Sequence, residues 1–146
     1  MTRPSWDQYF MNIAEQVATR ATCDRKHVGA ILVKDRIILS TGYNGSPPGT
    51  EHCDDAGHLM EGGHCVRTVH AEANAVAQAA KNGVQVNGAV CYTTASPCWP
   101  CMKILASSGV TKVIYGERYR LDDKVLSISK GHVWDDSKKV GTLLIT

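Results

Sequence analysis

Two short stretches, His70-Ala71-Glu72 and Pro97-Cys98-Trp99-Pro100-Cys101, constrain the fold more than any other part of this chain. They supply one imidazole, two thiols and one carboxylate. That is the inventory of a catalytic zinc site, where three protein ligands leave one position for water and a general acid/base stands alongside. His70 and Cys98 are far apart in sequence, so a fold that uses both must bring two distant segments to one point. The flanking patterns say how. Ala71 to Asn82 is rich in helix formers and stops at Gly83, which puts His70 and Glu72 at a helix start. Ala89-Val90-Cys91-Tyr92-Thr93-Thr94 reads as a buried strand with Cys91 an inert thiol, and Cys98 to Ser108 as the next helix, closed by Gly109. A helix N-terminus favours negative charge, which suits a carboxylate and two thiolates. Cys98 and Cys101, three residues apart, share a helical face, whereas Glu72, two residues from His70, points elsewhere and fits a base beside the water better than a ligand. Pro100 falls in the first turn, where its missing N–H costs little. A C-x-x-C alone also fits half a structural zinc knuckle or a redox pair, and H-x-E occurs by chance; the combination in strand and helix context carries the specificity. Trp99 either walls the pocket or packs.

The remaining chain supplies a scaffold. Ser5 is an N-cap, and Trp6, Tyr9, Phe10, Ile13, Ala14 and Val17 recur with the period of an amphipathic helix of about 16 residues. Val28 to Val33 and Ile37 to Tyr43 form a β-hairpin around Asp35-Arg36. From Asn44 to Val69 the pattern breaks at Gly45, Pro47, Pro48, Gly49, Gly57, Gly62 and Gly63. A loop so long in a compact domain is functional or disordered, and His52, Cys53, His58, His64 and Cys65 favour an ordered, metal-stapled one. Val110 to Tyr115 is a strand, Asp122 to Ser129 a helix and Gly141 to Thr146 a terminal strand. Two strand-helix-strand units call for parallel pairing and the hairpin for antiparallel pairing. The expectation is an α/β fold of three layers, α-β-α, with a mixed five-stranded central sheet, helices on both faces, and a single domain over residues 1–146.

Composition narrows the function. The net charge is only +2, and no run of Lys or Arg exceeds a pair such as Lys138-Lys139, against the concentrated basic footprint of a nucleic-acid binder. No apolar run approaches the ~20 residues of a membrane span, and the N-terminus lacks the apolar core of a signal peptide. The expected setting is cytoplasmic, where cysteines are kept as thiols and metal ligands.

Cys23, Cys53 and Cys65, with one histidine, make a second, closed tetrahedral zinc site of the Cys3His type. Adjacent side chains in His52-Cys53 and His64-Cys65 diverge, so His58 is the preferred fourth ligand and His64 the alternative. His27 and His132 are read as structural or surface residues.

With these residues placed, the chain resembles the cytidine deaminase-like zinc deaminases, which share the H-x-E and P-C-x-x-C signature. Within them it is similar to the deoxycytidylate (dCMP) deaminases of bacteria and phages. The similarity runs through Cys23 to Ala30, Gly42-Tyr43-Asn44-Gly45, His52-Cys53, His64 to Glu72, and Pro97 to Cys101; the C-terminal segment matches least. It implies the cytidine deaminase-like fold and hydrolysis of dCMP to dUMP and ammonia, feeding dTTP synthesis. His70, Cys98 and Cys101 would hold the catalytic zinc, with Glu72 as base and then acid. It further implies Asn44 at the nucleoside, Arg25 and Tyr119 at the phosphate, and a homo-hexamer activated by dCTP and inhibited by dTTP near Gly42 to Gly45. Two readings stay open: a polynucleotide deaminase acting on tRNA or single-stranded DNA, and a non-catalytic zinc-binding interaction module.

Overall fold

The computed structural model describes residues 2–119 and 121–145. In chain order the elements are α1 (Trp6–Ala18), β1 (Gly29–Lys34), β2 (Ile37–Tyr43), α2 (Cys53–Ala56), β3 (Met60–Glu61), β4 (His64–Cys65), α3 (Ala71–Lys81), β5 (Val90–Ala95), α4 (Trp99–Ser107), β6 (Lys112–Glu117), α5 (Asp123–Ser127), β7 (Gly131–Asp135) and β8 (Val140–Leu144). The main sheet has the order β2-β1-β5-β6-β8-β7, with β5 and β6 parallel and the other neighbours antiparallel.

The mixed sheet is present, but it has six strands where five are expected from the sequence. The additional strand is β7, whose five residues are exposed or half-buried throughout. An edge strand wetted in this way carries no apolar alternation to read. The expected terminal strand reaches Thr146 and the expected domain starts at Met1; both residues lie outside the described set. Helix α1 stops at Ala18, shorter than its pattern suggests. The long loop is less irregular than expected, since it contains α2 and the β3–β4 ribbon.

The layers follow from alternation along the strands. Ile31, Val33, Tyr92 and Ile114 face one side and pack with Phe10, Met11 and Ala14 of α1. Ala30, Leu32, Cys91, Val113 and Tyr115 face the other and pack with Ala71, Ala75 and Ala79 of α3, Met102 and Leu105 of α4, and Val125 of α5. Cys91 is fully buried there, as a small apolar thiol. Among the described residues no helix is long and apolar enough to cross a membrane.

Two strands fix where the helices begin. Both β2 and β5 run antiparallel to β1, so they point the same way and end at one edge of the sheet. They are not neighbours, because β1 lies between them. Helix α4 starts directly after β5. Helix α3 starts after the long loop, but the Gly45–Val69 bridge (N–H to carbonyl, 3.2 and 2.9 Å) returns the chain to the end of β2. The Asn74 amide then donates to the Tyr43 carbonyl at 2.8 Å, pinning the first turn of α3 to that strand end.

Close approach of the helices needs two glycines. A Cβ on Gly42 would collide with the Ala71 carbonyl and the Ala75 nitrogen of α3; one on Gly29 would collide with the Ala14 carbonyl and the Ala18 nitrogen of α1. Overpacking of this kind costs about 1–3 kcal/mol or more. Gly29→Ala and Gly42→Ala are each expected to lower the unfolding free energy obtained from a urea titration by an amount in that range. Only Gly42→Ala should also weaken metal binding, because it displaces the helix start that carries His70. Near-neutral effects of both in a urea titration would contradict this packing.

Candidate metal centre and substrate pocket

His70 and Cys98 are the N-cap residues of α3 and α4, each with an extended backbone (φ −66°, ψ 153° and φ −75°, ψ 171°) and no capping hydrogen bond from its side chain. Both side chains therefore swing clear of the helix starts. Cys101 projects from the first turn of α4, while Met102 and Leu105 anchor that helix in the core and Pro100 occupies a first-turn position. His70 Nδ1 lies 3.3 Å from the sulfurs of both Cys98 and Cys101. With Zn–S near 2.3 Å and Zn–N near 2.05 Å, a tetrahedral N···S edge is about 3.6 Å, so three donors at this spacing fit a zinc ion and leave a fourth position. The Cys101 thiol hydrogen-bonds the Cys98 sulfur and holds it well below the usual thiol range, while Cys101 itself is pushed up. A cation between them favours both thiolates.

Glu72 is 4% exposed and lines the pocket next to these donors. Burial pushes its carboxyl up to about 7, and the nearby Cys98 adds to the rise. A carboxyl that titrates near neutrality both accepts and returns a proton readily.

A second group joins Cys23, Cys53, His58 and Cys65, with all four ligand atoms within 4.8 Å of one another. Cys23 Sγ is 3.5 Å from His58 Nδ1, and Cys53 Sγ is 3.5 Å from Cys65 Sγ. A tetrahedral zinc has S···S edges of roughly 3.8 Å, so this set also fits, and it is closed. His58 completes the group; His64 lies outside it, exposed on β4. His58 Nε2 stands 2.9 Å from Asp24 Oδ1. That contact fixes the tautomer and presents Nδ1 as the donor to a metal. Against burial, which raises it, the backbone at Arg67 and Leu59 holds the Cys65 thiol down at about 6. Asp24 carries no signal in the sequence beyond following Cys23.

The pocket beside Glu72 is lined by His70, Cys98, Asn44, Ser96 and Tyr119, and also by Cys23 and Cys65 of the second group. The two groups thus share a wall. Asn44 is buried; its Nδ2 donates to the Lys26 carbonyl at 2.6 Å, and its Oδ1 accepts from the Val28 N–H at 2.8 Å. Ser96 Oγ donates to the Tyr119 carbonyl at 2.5 Å and accepts from the Tyr119 N–H at 2.6 Å, fixing Tyr119 at the pocket. Arg25 is exposed, directed toward the Gly63 carbonyl at 3.5 Å, and is not among the lining residues; its neighbour Lys26 is. Lys26 and Ser96 had no distinguishing mark in sequence, although a small hydroxyl between a strand end and Pro97-Cys98 is a signal that could have been used.

Gly42 to Gly45 separates two cavities. Asn44 faces the pocket, while Gly42, Tyr43 and Gly45 line a groove between β2 and α3 together with Ser46, His52 and Asn74. The buried Ser46 Oγ and His52 Nδ1 have no hydrogen-bond partner among the described residues.

Comparison with known proteins bears on this geometry. The family model described as the cytidine and deoxycytidylate deaminase zinc-binding region matches residues 4–117. ComE operon protein 2 of Bacillus subtilis is 47% identical over 120 residues, covering 82% of this chain and 64% of that protein. Deoxycytidylate deaminase of Mycobacterium phage D29 is 39% identical over 127 residues, covering 79% of this chain and 97% of the phage protein. The chain thus spans under two thirds of the Bacillus protein and nearly all of the phage one. Among solved structures, dCMP deaminase from the cyanophage S-TIM5, in complex with dCMP and dUMP, superposes with a TM-score of 0.73 at 35% identity, covering 86% of this chain and 90% of that one. The three-layer architecture is therefore the cytidine deaminase-like fold, and the chain belongs to the cytidine and deoxycytidylate deaminase zinc-binding family.

Proposed function

We propose that this chain hydrolyses the 4-amino group of dCMP, giving dUMP and ammonia. The observation that carries the proposal is the buried Glu72 carboxyl beside the His70, Cys98 and Cys101 donors in one pocket. The phage D29 and S-TIM5 proteins, both dCMP deaminases by name, and the dCMP and dUMP bound to the latter, support the choice of substrate.

A zinc ion held by His70, Cys98 and Cys101 would supply a Lewis acid that makes water nucleophilic near neutral pH. Glu72 takes a proton from the water that attacks C4 of the cytosine and delivers it to N3. It then carries the second proton to the amino group, which leaves as ammonia. One carboxylate acts as base and then as acid, which its near-neutral titration suits. Asn44 meets the nucleoside with the hydrogen-bonding capacity its two backbone bonds leave unused, and Tyr119 is assigned to the phosphate end, with Arg25 outside the pocket lining. A second zinc on Cys23, Cys53, His58 and Cys65 would brace the pocket wall and hold the 44–69 loop in place. The groove lined by Gly42, Tyr43 and Gly45, where Ser46 Oγ and His52 Nδ1 have no partner among the described residues, is the place we assign to dCTP and dTTP, on a homo-hexamer.

Ammonia release tests the substrate. Zinc-loaded protein is expected to turn over dCMP in preference to dCTP, cytidine and a tRNA anticodon stem, with a sigmoidal dCMP curve that dCTP straightens and dTTP depresses. Preference for the stem would instead mark a polynucleotide deaminase, and metal-loaded protein inert toward all four would leave only an interaction module. The second site is tested through its orienting carboxylate. Asp24→Ala should weaken the second zinc about 10- to 100-fold in a chelator competition while the first is retained. Equal retention of both ions would contradict the role given to Asp24.

A further inference from the structure

We propose that Lys26 is the cation that receives the 5′-phosphate of the substrate, and that Glu117 is a counter-ion which the phosphate displaces. This rests on the mononucleotide deaminase reading above and extends it to the residue that selects a nucleotide over a nucleoside.

Charge at the pocket points to Lys26. Among the described residues it is the one Lys or Arg that lines the cavity holding His70, Glu72 and Cys98. Arg25 beside it turns away toward Gly63. A mononucleotide whose base lies against Glu72 brings into the same cavity a phosphate carrying roughly −1.5 to −2 charges. Lys26 is the lining residue that can neutralise it. The backbone of Lys26 is fixed, because its carbonyl accepts the Asn44 amide at 2.6 Å. The residue assigned to the nucleoside therefore also sets the position of the cation. Its Nζ lies 4.8 Å from the centre of the Tyr119 ring, and Ser96 fixes the Tyr119 backbone from both sides. The cation thus stands on a platform built from the segment that follows β6 and the β5–α4 connection.

The partner now on Lys26 is replaceable. Nζ is 2.9 Å from Glu117 Oε1, in a pair whose side chains are 30% and 62% exposed. Exposed ion pairs of this kind are weak. A phosphate offers more charge and three acceptor oxygens, and its bonds to an ammonium are charge-assisted. Glu117 should therefore keep Lys26 extended and hydrated until substrate arrives, then yield. Once phosphate is bound, the two anions repel, so Glu117 opposes binding while Lys26 favours it.

That opposition of signs is the test. Kinetics on dCMP and on deoxycytidine are measured with full-length, zinc-loaded wild type, Lys26→Met, Lys26→Arg and Glu117→Gln, each checked for zinc content and thermal melting. Lys26→Met should raise KM for dCMP at least about tenfold, the worth of a lost charge-assisted hydrogen bond, with the loss in KM and not in kcat. It should lower the preference for dCMP over deoxycytidine to match, and Lys26→Arg should restore most of it. Competitive inhibition by inorganic phosphate should weaken in parallel, which keeps a readout where deoxycytidine turnover is too slow to measure. Glu117→Gln should lower KM for dCMP at low salt. If Lys26→Met and Glu117→Gln both raise KM, the pair is a structural bridge and the proposal is overturned. It is equally overturned if Lys26→Met leaves both phosphate inhibition and KM for dCMP unchanged while wild type turns dCMP over. Wild type that ignores dCMP overturns the deaminase reading, and with it this role for Lys26.

Discussion

Everything at the site depends on two helices starting at one edge of one sheet. The strands β2 and β5 point the same way because both run antiparallel to β1. The cap residues His70 and Cys98 then stand face to face although they are remote in sequence, and the helix N-termini favour the anionic donors. The approach is close because Gly42 has no side chain to hold α3 away from β2. Gly42 thus has a packing role that stands apart from any regulatory role of the segment it belongs to.

The long loop is ordered from two directions. At its base, the Gly45–Val69 bridge brings its ends together. At its tip, Cys53, His58 and Cys65 converge on Cys23, which precedes β1. Because Cys23 and Cys65 also line the pocket, a metal there would act on substrate binding through the wall it stiffens. Asn44 works in the same region, joining the end of β2 to the segment that leads into β1 and carrying Lys26 with it. The pocket is therefore less a cleft between rigid elements than a seam between two stapled loops.

Much of this was legible from residue chemistry. Cysteine and histidine at fixed spacings announce themselves, so both donor groups could be read, down to the preference for His58 over His64. Helix starts were legible because glycine stops, prolines and strand patterns flank them. Three kinds of feature were hidden. The sheet order, with β1 between β2 and β5, is set by pairing across the chain and leaves no local trace. Strand β7, exposed along its length, has no apolar alternation. Asp24, Lys26 and Ser96 are ordinary surface-type residues in sequence, and they gain meaning only from what stands opposite them: an imidazole, a carboxylate and a turn of backbone.

In the proposed reaction Glu72 moves protons and holds no metal. Metal content and dCMP turnover measured on one sample of Glu72→Ala test it most directly. The variant is expected to hold as much zinc per chain as wild type, with turnover down by about 10²-fold or more, the usual contribution of a general acid/base. Loss of one zinc together with activity would contradict it, because Glu72 would then be a ligand and the proton carrier would have to be sought elsewhere in the pocket.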